Sequence, residues 1–272
     1  MMNTRISAGR SMVVILQAIV WVLCSLIAEA SQAATTLRPP SVPLVACDPY
    51  FSIWSPADKL TDADTVHWTG QPHRLTSLVR IDGKAFRLMG KEPAAVPALP
   101  QTELEVLPTR TIYTFEGEGL RLTLTFMTAA LPDDLMVYSR PVTYVTWEMK
   151  ATDGKDHDIG LTFETTGEPA VNAASQEVVS MTEEHGDLVA MIVGSREQPV
   201  LAKKGDDLRI DWGYLYVAFP KSEFEGLRLS GLRDGQREVF QDGFKSRIEL
   251  MNPVRADGFF ITAKARDRKS VV

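Results

Sequence analysis

Apolar and polar residues alternate with a period of two along much of the chain. The alternation is clearest in residues 120–126, 145–149, 159–163 and 215–219. Successive side chains of a strand point to opposite faces, so each stretch predicts a strand with one buried face and one wetted face. Sequences such as Asp82-Gly83 and Asp153-Gly154 lie between these stretches and are typical of tight turns.

The pattern as a whole predicts an all-β fold. Strands joined by tight turns indicate a large antiparallel β-sandwich, which we place at residues 76–266. An irregular N-terminal lead-in, residues 34–75, precedes it, because this segment starts with prolines and is then crowded with aromatic and acidic residues. Residues 91–100 contain three prolines and three alanines and predict a loop. Further strands are expected near residues 247–250 and 258–262.

The first part of the chain, residues 1–33, has the pattern of a signal peptide. Two arginines precede an apolar run over residues 12–28, and small residues follow the run. Cleavage is expected after Ala33, with Ala30 as the second choice, which predicts a secreted or periplasmic protein. The alternative is a membrane anchor, but the run is short for a span and cleavable residues follow it. We therefore expect no stable membrane association after cleavage.

Composition and charge narrow the class of partner. The 272 residues carry a formal net charge of −6, with an isoelectric point near 5.3. This acidic balance argues against binding to nucleic acid, which depends on basic contacts to phosphates. Of the two cysteines, Cys24 lies in the signal segment, so Cys47 has no partner for a disulfide. We expect Cys47 to be a small buried residue rather than a nucleophile.

The sequence contains no self-sufficient catalytic motif. It lacks a nucleophile elbow, a zinc-binding helix motif and a glycine-rich phosphate loop, so neither a cofactor nor a metal is predicted and the catalytic residues stay unknown. The aspartates at positions 58, 62 and 64 resemble part of a calcium loop, but its glycine and closing glutamate are missing. His157 lies between two aspartates and is expected to be a solvated loop residue.

The lead-in contains the strongest candidates for a binding site or a domain interface. Trp54, Asp58, His67 and Trp68 lie outside regular alternation, where aromatic rings with polar neighbours suit a ligand pocket or a domain interface. A purely structural cluster that pins the lead-in to the sandwich fits the same pattern. We take these four residues as candidates for binding or for a domain interface.

Several ordered blocks of sequence resemble the secreted glutaminase A family of fungi and bacteria. The first block is PLVACDPYFSIWS at residues 43–55, and the resemblance spans residues 40–220. The remaining blocks are residues 60–70, 78–83, 87–90, 108–115, 131–134, 139–144 and 204–214. Their order and spacing agree with those of the family.

The resemblance implies a protein of two parts. In the family, an N-terminal β-sandwich precedes a large domain of helical hairpins, similar to the helical toroids of some glycoside hydrolases. The implied activity is hydrolysis of L-glutamine to L-glutamate and ammonia outside the cytoplasm. This chain would then be the non-catalytic N-terminal part, and its partner would be the C-terminal helical-hairpin domain of the same protein. No catalytic residue carries over, and the four lead-in candidates would line the interface or pocket shared with that domain.

Two other functions and one feature of the C-terminus remain open. The chain could be the N-terminal domain of a glycoside-hydrolase-like carbohydrate-active enzyme. It could also be a stand-alone exported carbohydrate-binding module that stacks sugars on Trp54 and Trp68. The final six residues, Asp267–Val272, match one reading frame of a common sequencing adapter and predict a non-native tail, with an ordinary charged tail as the alternative.

Overall fold

Strands make up most of the structure. The computed structural model describes residues 38–233, 236–242, 254–265 and 268–270. The strands are β1 (Val42–Ala46), β2 (Ser52–Ser55), β3 (Leu75–Ile81), β4 (Lys84–Met89), β5 (Gln101–Leu107), β6 (Arg110–Gly117), β7 (Leu120–Thr128), β8 (Thr143–Ala151), β9 (His157–Thr166), β10 (Glu177–His185), β11 (Leu188–Ser195), β12 (Leu215–Pro220), β13 (Phe224–Arg233), β14 (Gln236–Asp242), β15 (Val254–Arg255), β16 (Phe259–Ala265) and β17 (Arg268–Ser270). The helical pieces are the single turn α1 (Leu135–Tyr138) and the 3-10 turns Glu168–Ala170 and Ala256–Gly258.

Within these residues the strands form one hairpin and three larger sheets. β1 pairs with β2; two four-stranded sheets have the orders β5-β6-β7-β8 and β12-β11-β10-β15. A seven-stranded sheet has the order β14-β13-β16-β9-β3-β4, with β17 also paired to β9. Every pair of named strands is antiparallel, which confirms the predicted all-β fold. The four clearest alternating stretches lie in β7, β8, β9 and β12.

Strand β7 illustrates how the alternating pattern directs the fold. Leu120, Leu122, Leu124 and Phe126 are each at most 1% exposed, whereas Arg121 between the first two is exposed. Full burial of such a side chain stabilises the folded chain by roughly 1.5–3 kcal/mol. One face of β7 is therefore fixed toward the core, and β6 and β8 pair with its two edges.

Two tight turns fix neighbouring strands in register. Asp82 and Gly83 both have positive φ, +49° and +85°, and join β3 to β4. Glu118 and Gly119 do the same between β6 and β7, with φ of +51° and +79°. Consecutive residues of positive φ give the turn twist that suits a two-residue hairpin. At Gly119 a Cβ would also lie 2.8 Å from His157 Nε2, so a side chain there is excluded by contact as well.

Side chains of the seven-stranded sheet contact both four-stranded sheets. The ring centroids of Trp147 on β8 and Phe163 on β9 are 5.6 Å apart, and those of Phe163 and Phe219 on β12 are 6.4 Å apart. The Trp147 indole also donates to the Ser77 hydroxyl on β3, at 3.2 Å. The core is thus shared between the facing sheets, as in a sandwich.

The lead-in is more regular than its sequence pattern indicates. It contains the β1–β2 hairpin, and residues 56–74 then follow an irregular path to β3. The Thr111 hydroxyl on β6 donates to the Pro43 carbonyl of β1, which ties the hairpin to the sandwich. Residues 91–100 form the predicted loop, apart from an isolated bridge.

Some predictions fall partly or wholly outside the described residues. The signal segment 1–33 and the strand expected at 247–250 lie outside them. Of the C-terminal segment expected to be non-native, residues 268–270 form β17 and pair with β9. Among the described residues, no helix has the length and apolar character needed to cross a bilayer.

Candidate functional site

The lead-in folds His67 and Trp68 around the carbonyl of Pro49. Both rings approach this oxygen, with His67 Nε2 at 3.0 Å and Trp68 Nε1 at 2.7 Å. A carbonyl oxygen only accepts hydrogen bonds, so His67 Nε2 carries a proton. The other nitrogen, Nδ1, accepts from the Thr69 amide at 3.3 Å and lies 3.0 Å from the Thr69 hydroxyl. His67 is therefore held as one neutral tautomer.

Two buried histidines lie side by side in this region. The rings of His67 and His73 are 5.0 Å apart, and both side chains are 0% exposed. Burial lowers the pKa of His67, and it lowers the pKa of His73 to about 3. Each pKa is reduced further by nearby positive charge, including that of Arg209. At neutral pH this pair is accordingly uncharged.

A segment 140 residues further along the chain completes the arrangement. Arg209 donates from Nη1 to the Thr69 hydroxyl at 3.0 Å, and from Nε to the Asn172 carbonyl at 2.7 Å. The same guanidinium forms an ion pair with Asp207, and its hydrogen bond lowers the pKa of Asp207. We call His67, Trp68, Thr69, Asp207 and Arg209 the His67 corner. It joins two of the sequence blocks that carry the family resemblance, 60–70 and 204–214.

Arg209 belongs to a long connection, the 196–214 loop between β11 and β12. Its polar side chains hold it in place: Asp211 is 3% exposed, pairs with Lys203 and accepts from Gln176. Gln198 clamps the far end, donating to the Gly213 carbonyl and accepting from the Gly213 amide. Loops of this length without regular structure are uncommon in compact domains, and functional loops are one of the main classes of them.

The structure brings together only part of the predicted set. His67 and Trp68 are in ring contact at 5.6 Å, and the backbone of Trp54 pairs with Val66 next to them. Trp54 is half-buried, whereas Trp68 is 53% exposed. Asp58 forms an exposed ion pair with Arg38 and, among the described residues, shares no hydrogen bond or ion pair with the other three.

The acidic cluster and Cys47 have separate environments. Asp58 pairs with Arg38, and Asp64 pairs with Lys91. Among the described residues, no group of three or more His, Cys, Asp or Glu side chains is placed to hold a metal ion. Cys47 is half-buried beside the Thr143 hydroxyl, and burial raises the pKa of its thiol. A raised pKa reduces the thiolate fraction on which nucleophilic attack depends.

The expectation for His157 is wrong. Its side chain is 7% exposed and lies between two carboxylates, Asp82 at 2.7 Å from Nδ1 and Asp153 at 3.1 Å from Nε2. These two hydrogen bonds raise the pKa of His157. Sequence reasoning missed the site because Asp82 is 75 residues away and reaches His157 only when β3 pairs with β9.

A second buried charge was also missed. Glu168 is 2% exposed and accepts from the Arg74 guanidinium at 2.7 Å and from the Thr166 hydroxyl at 2.8 Å. Arg74 Nη2 also donates to the Asp257 carbonyl. This pair ties the end of the lead-in to both 3-10 turns. The sequence offered no signal, because Arg74 is 94 residues from Glu168 and 183 residues from Asp257.

Comparison with known proteins gives the chain a family. Residues 109–259, more than half of the chain, match a family described as "Domain of unknown function (DUF5127)". The chain belongs to this family. Residues 15–100 match a second family, described as "Domain of unknown function (DUF4964)". The His67 corner therefore joins the two matched regions, with Thr69 in one and Arg209 in the other.

One curated relative has a functional name. The chain is 28% identical over 209 residues to a protein of Aspergillus oryzae named Glutaminase A. The alignment covers 72% of this chain and 30% of the relative. The chain thus spans less than a third of the length of the relative that it matches. At this identity the comparison supports a glutaminase-like relationship.

Proposed function

We propose that this chain is the non-catalytic, N-terminal β-sandwich part of a secreted glutaminase-like amidohydrolase. The reaction is hydrolysis of L-glutamine to L-glutamate and ammonia, performed by a second part of the protein. The observation that carries the proposal is the match over 209 residues to Glutaminase A, of which the aligned region covers 30%.

The chemistry of the His67 corner supports a structural role. Its polar groups bind one another: the Pro49 carbonyl holds both rings, and Thr69 links His67 to Arg209. A general base needs a free lone pair within reach of the proton that it abstracts, and His67 Nδ1 already accepts from Thr69. We infer that the corner fastens the lead-in to the sandwich and presents Trp68 at the surface.

An exposed apolar segment supports docking of a second domain. In α1, Leu135 is 74% exposed, Met136 69% and Tyr138 58%, and Asp134 caps the turn by accepting from the Met136 amide. Leu131, Val142 and Tyr144 are also exposed. Apolar side chains clustered in this way on a surface mark interaction sites. We propose that this segment, residues 131–144, contacts the helical domain.

The test is an assay of ammonia release from L-glutamine. We expect the purified chain to release none above the buffer control, and the longest reading frame that contains this sequence to encode an active protein. Turnover by the chain alone would contradict the non-catalytic assignment. Activity of the longer protein on glycosides but not on glutamine would favour the carbohydrate-active alternative.

A further inference from the structure

Strands β8 and β12 each lie at one end of a four-stranded sheet. Within the described residues, β8 pairs with β7 alone and β12 pairs with β11 alone. Each strand therefore has one edge whose N–H and C=O groups have no strand partner in the part of the chain that the structure describes. Proteins generally cover or blunt such edges, because a bare edge pairs readily with another strand.

A groove of about 580 Å³ lies between these two strands. Val145 and Thr146, adjacent on β8, both line it, and so do Val217 and Ala218 on β12. Adjacent side chains of a strand point to opposite faces, so a groove lined by both is bordered by the strand edge itself. We call this space the β8–β12 groove.

The floor of the groove is apolar. Phe163 of β9 lies beneath it and contacts Trp147 on one side and Phe219 on the other. Among the described residues that line the groove, Glu223 is the single charged one. A charged side chain placed on this apolar floor away from Glu223 would lose hydration without gaining a partner, which is costly. The walls thus suit an uncharged occupant with backbone groups at its sides and apolar side chains beneath.

We propose that the β8–β12 groove binds one extended, uncharged polypeptide strand from the part of a longer homologous protein that this chain does not span. The strand pairs with the edge of β8 and places alternate apolar side chains on the Phe163 floor. Addition of a strand to an exposed sheet edge is a common mode of peptide recognition, in which backbone hydrogen bonds give affinity and side-chain contacts give specificity. The bound strand joins the two four-stranded sheets into one layer.

Two observations favour this source for the strand. The chain spans only 30% of Glutaminase A, so most of that relative's polypeptide lies outside the aligned part. The exposed apolar segment 131–144 runs directly into β8, so the surface proposed for docking continues into the groove. The choice of source rests on the proposed function, but it does not depend on the reaction.

The experiment screens overlapping peptides for binding to the purified full chain. The peptides cover the complete sequences of Aspergillus oryzae Glutaminase A and of this chain, and hits are titrated in solution by fluorescence anisotropy. We expect saturable binding of a peptide from the unspanned part of Glutaminase A. N-methylation of its amides on both edges removes the backbone donors and is expected to weaken binding by at least about tenfold.

Matched variants locate the bound peptide. Val145→Lys places a charge at the groove and is expected to weaken binding by at least about tenfold. Leu188→Lys is the control, because Leu188 is a 44% exposed apolar residue on β11 that does not line the groove. Its affinity should change by less than about twofold. Circular dichroism checks that both variants fold, and the methylated peptide tests the proposal without any variant.

Three outcomes would overturn the proposal. In the first, no peptide binds. In the second, only peptides from the aligned region of Glutaminase A or from this chain bind. In the third, N-methylation of the peptide does not change its affinity. The second outcome indicates pairing between copies of the chain. A negative glutaminase assay does not change which peptides bind, and a negative peptide screen does not change the assay, so the two failures are distinguishable.

Discussion

The His67 corner and the β8–β12 groove satisfy their polar groups in opposite ways. In the corner, Arg209 is 9% exposed and is bound to Thr69, Asp207 and Asn172 within the same chain. In the groove, two strand edges that have no strand partner among the described residues border an apolar floor around Phe163, which is 6% exposed. The corner is complete without a partner, whereas the groove gains from one. The difference indicates that a binding partner is to be sought at the β8–β12 groove rather than at the His67 corner, although the corner contains more polar side chains.

The largest expected change in the free energy of unfolding distinguishes a core position from a position in the β8–β12 groove. Leu124→Ala removes a fully buried side chain from β7 and is expected to destabilise the chain by about 3 kcal/mol. Val217→Ala, at the half-buried wall of the groove, is expected to cost about 0.5 kcal/mol. Urea unfolding followed by circular dichroism measures both. Equal losses would show that the groove is packed as tightly as the core.

The next largest loss of stability tests whether the His67 corner attaches the lead-in to the sandwich. Arg209→Ala leaves the Asn172 carbonyl and the Thr69 hydroxyl without their buried donor, and we expect a loss of about 2 kcal/mol in the free energy of unfolding. Arg209→Lys keeps the charge but cannot reach both acceptors with a planar fork, so an intermediate loss is expected. Peptide binding at the groove should not change. An unfolding free energy unaffected by Arg209→Ala would rule out the fastening role.

A third effect depends on pH and concerns His157. Its pKa is raised in the folded chain, so its stabilising contribution is complete below its ordinary value of about 6.5 and is lost as pH rises through the folded value. Asp82 and Asp153 have lowered pKa values, and their contributions are lost as pH falls through the folded values. We expect His157→Gln to flatten the decline in urea midpoint above neutral pH. A parallel decline in both proteins would contradict this.

The smallest effect tests the exposed edge of the corner. Trp68→Phe keeps a ring but removes the indole donor to Pro49, and Trp68 is 53% exposed. We expect a loss of about 0.5 kcal/mol. In nitrogen NMR spectra, His67 should keep its proton on Nε2, because that nitrogen still donates to Pro49. Transfer of the proton to Nδ1 would show that Trp68 sets the tautomer.

The strands could be predicted because their signal is local. Each alternating stretch, such as residues 120–126, contains in a few residues all the information that assigns its two faces. The sheet orders could not be predicted in this way. They depend on pairings between distant strands, such as β9 with both β3 and β16.

The candidate site shows the same limit. His67 and Trp68 were found because an aromatic and polar segment without alternation is unusual, and they do lie together. Asp58 was included because it is near them in sequence, yet its ion pair is with Arg38. Arg209 was missed because only the folded chain brings it to Thr69. Two polar-rich blocks of the same family resemblance were the available hint that these segments meet.

The sheet orders also bear on how the chain folds as it leaves the ribosome. The β5-β6-β7-β8 sheet uses one continuous stretch, from Gln101 to Ala151, and its contacts are local. The seven-stranded sheet places β9 between β3, which is made much earlier, and β16, which is made near the end. Local contacts form fastest, and closure of long loops slows folding. We expect the β5-β6-β7-β8 sheet to form during synthesis. The seven-stranded sheet cannot be completed until residues 259–265 have been made, so chaperones would bind a nascent chain in which that sheet is incomplete.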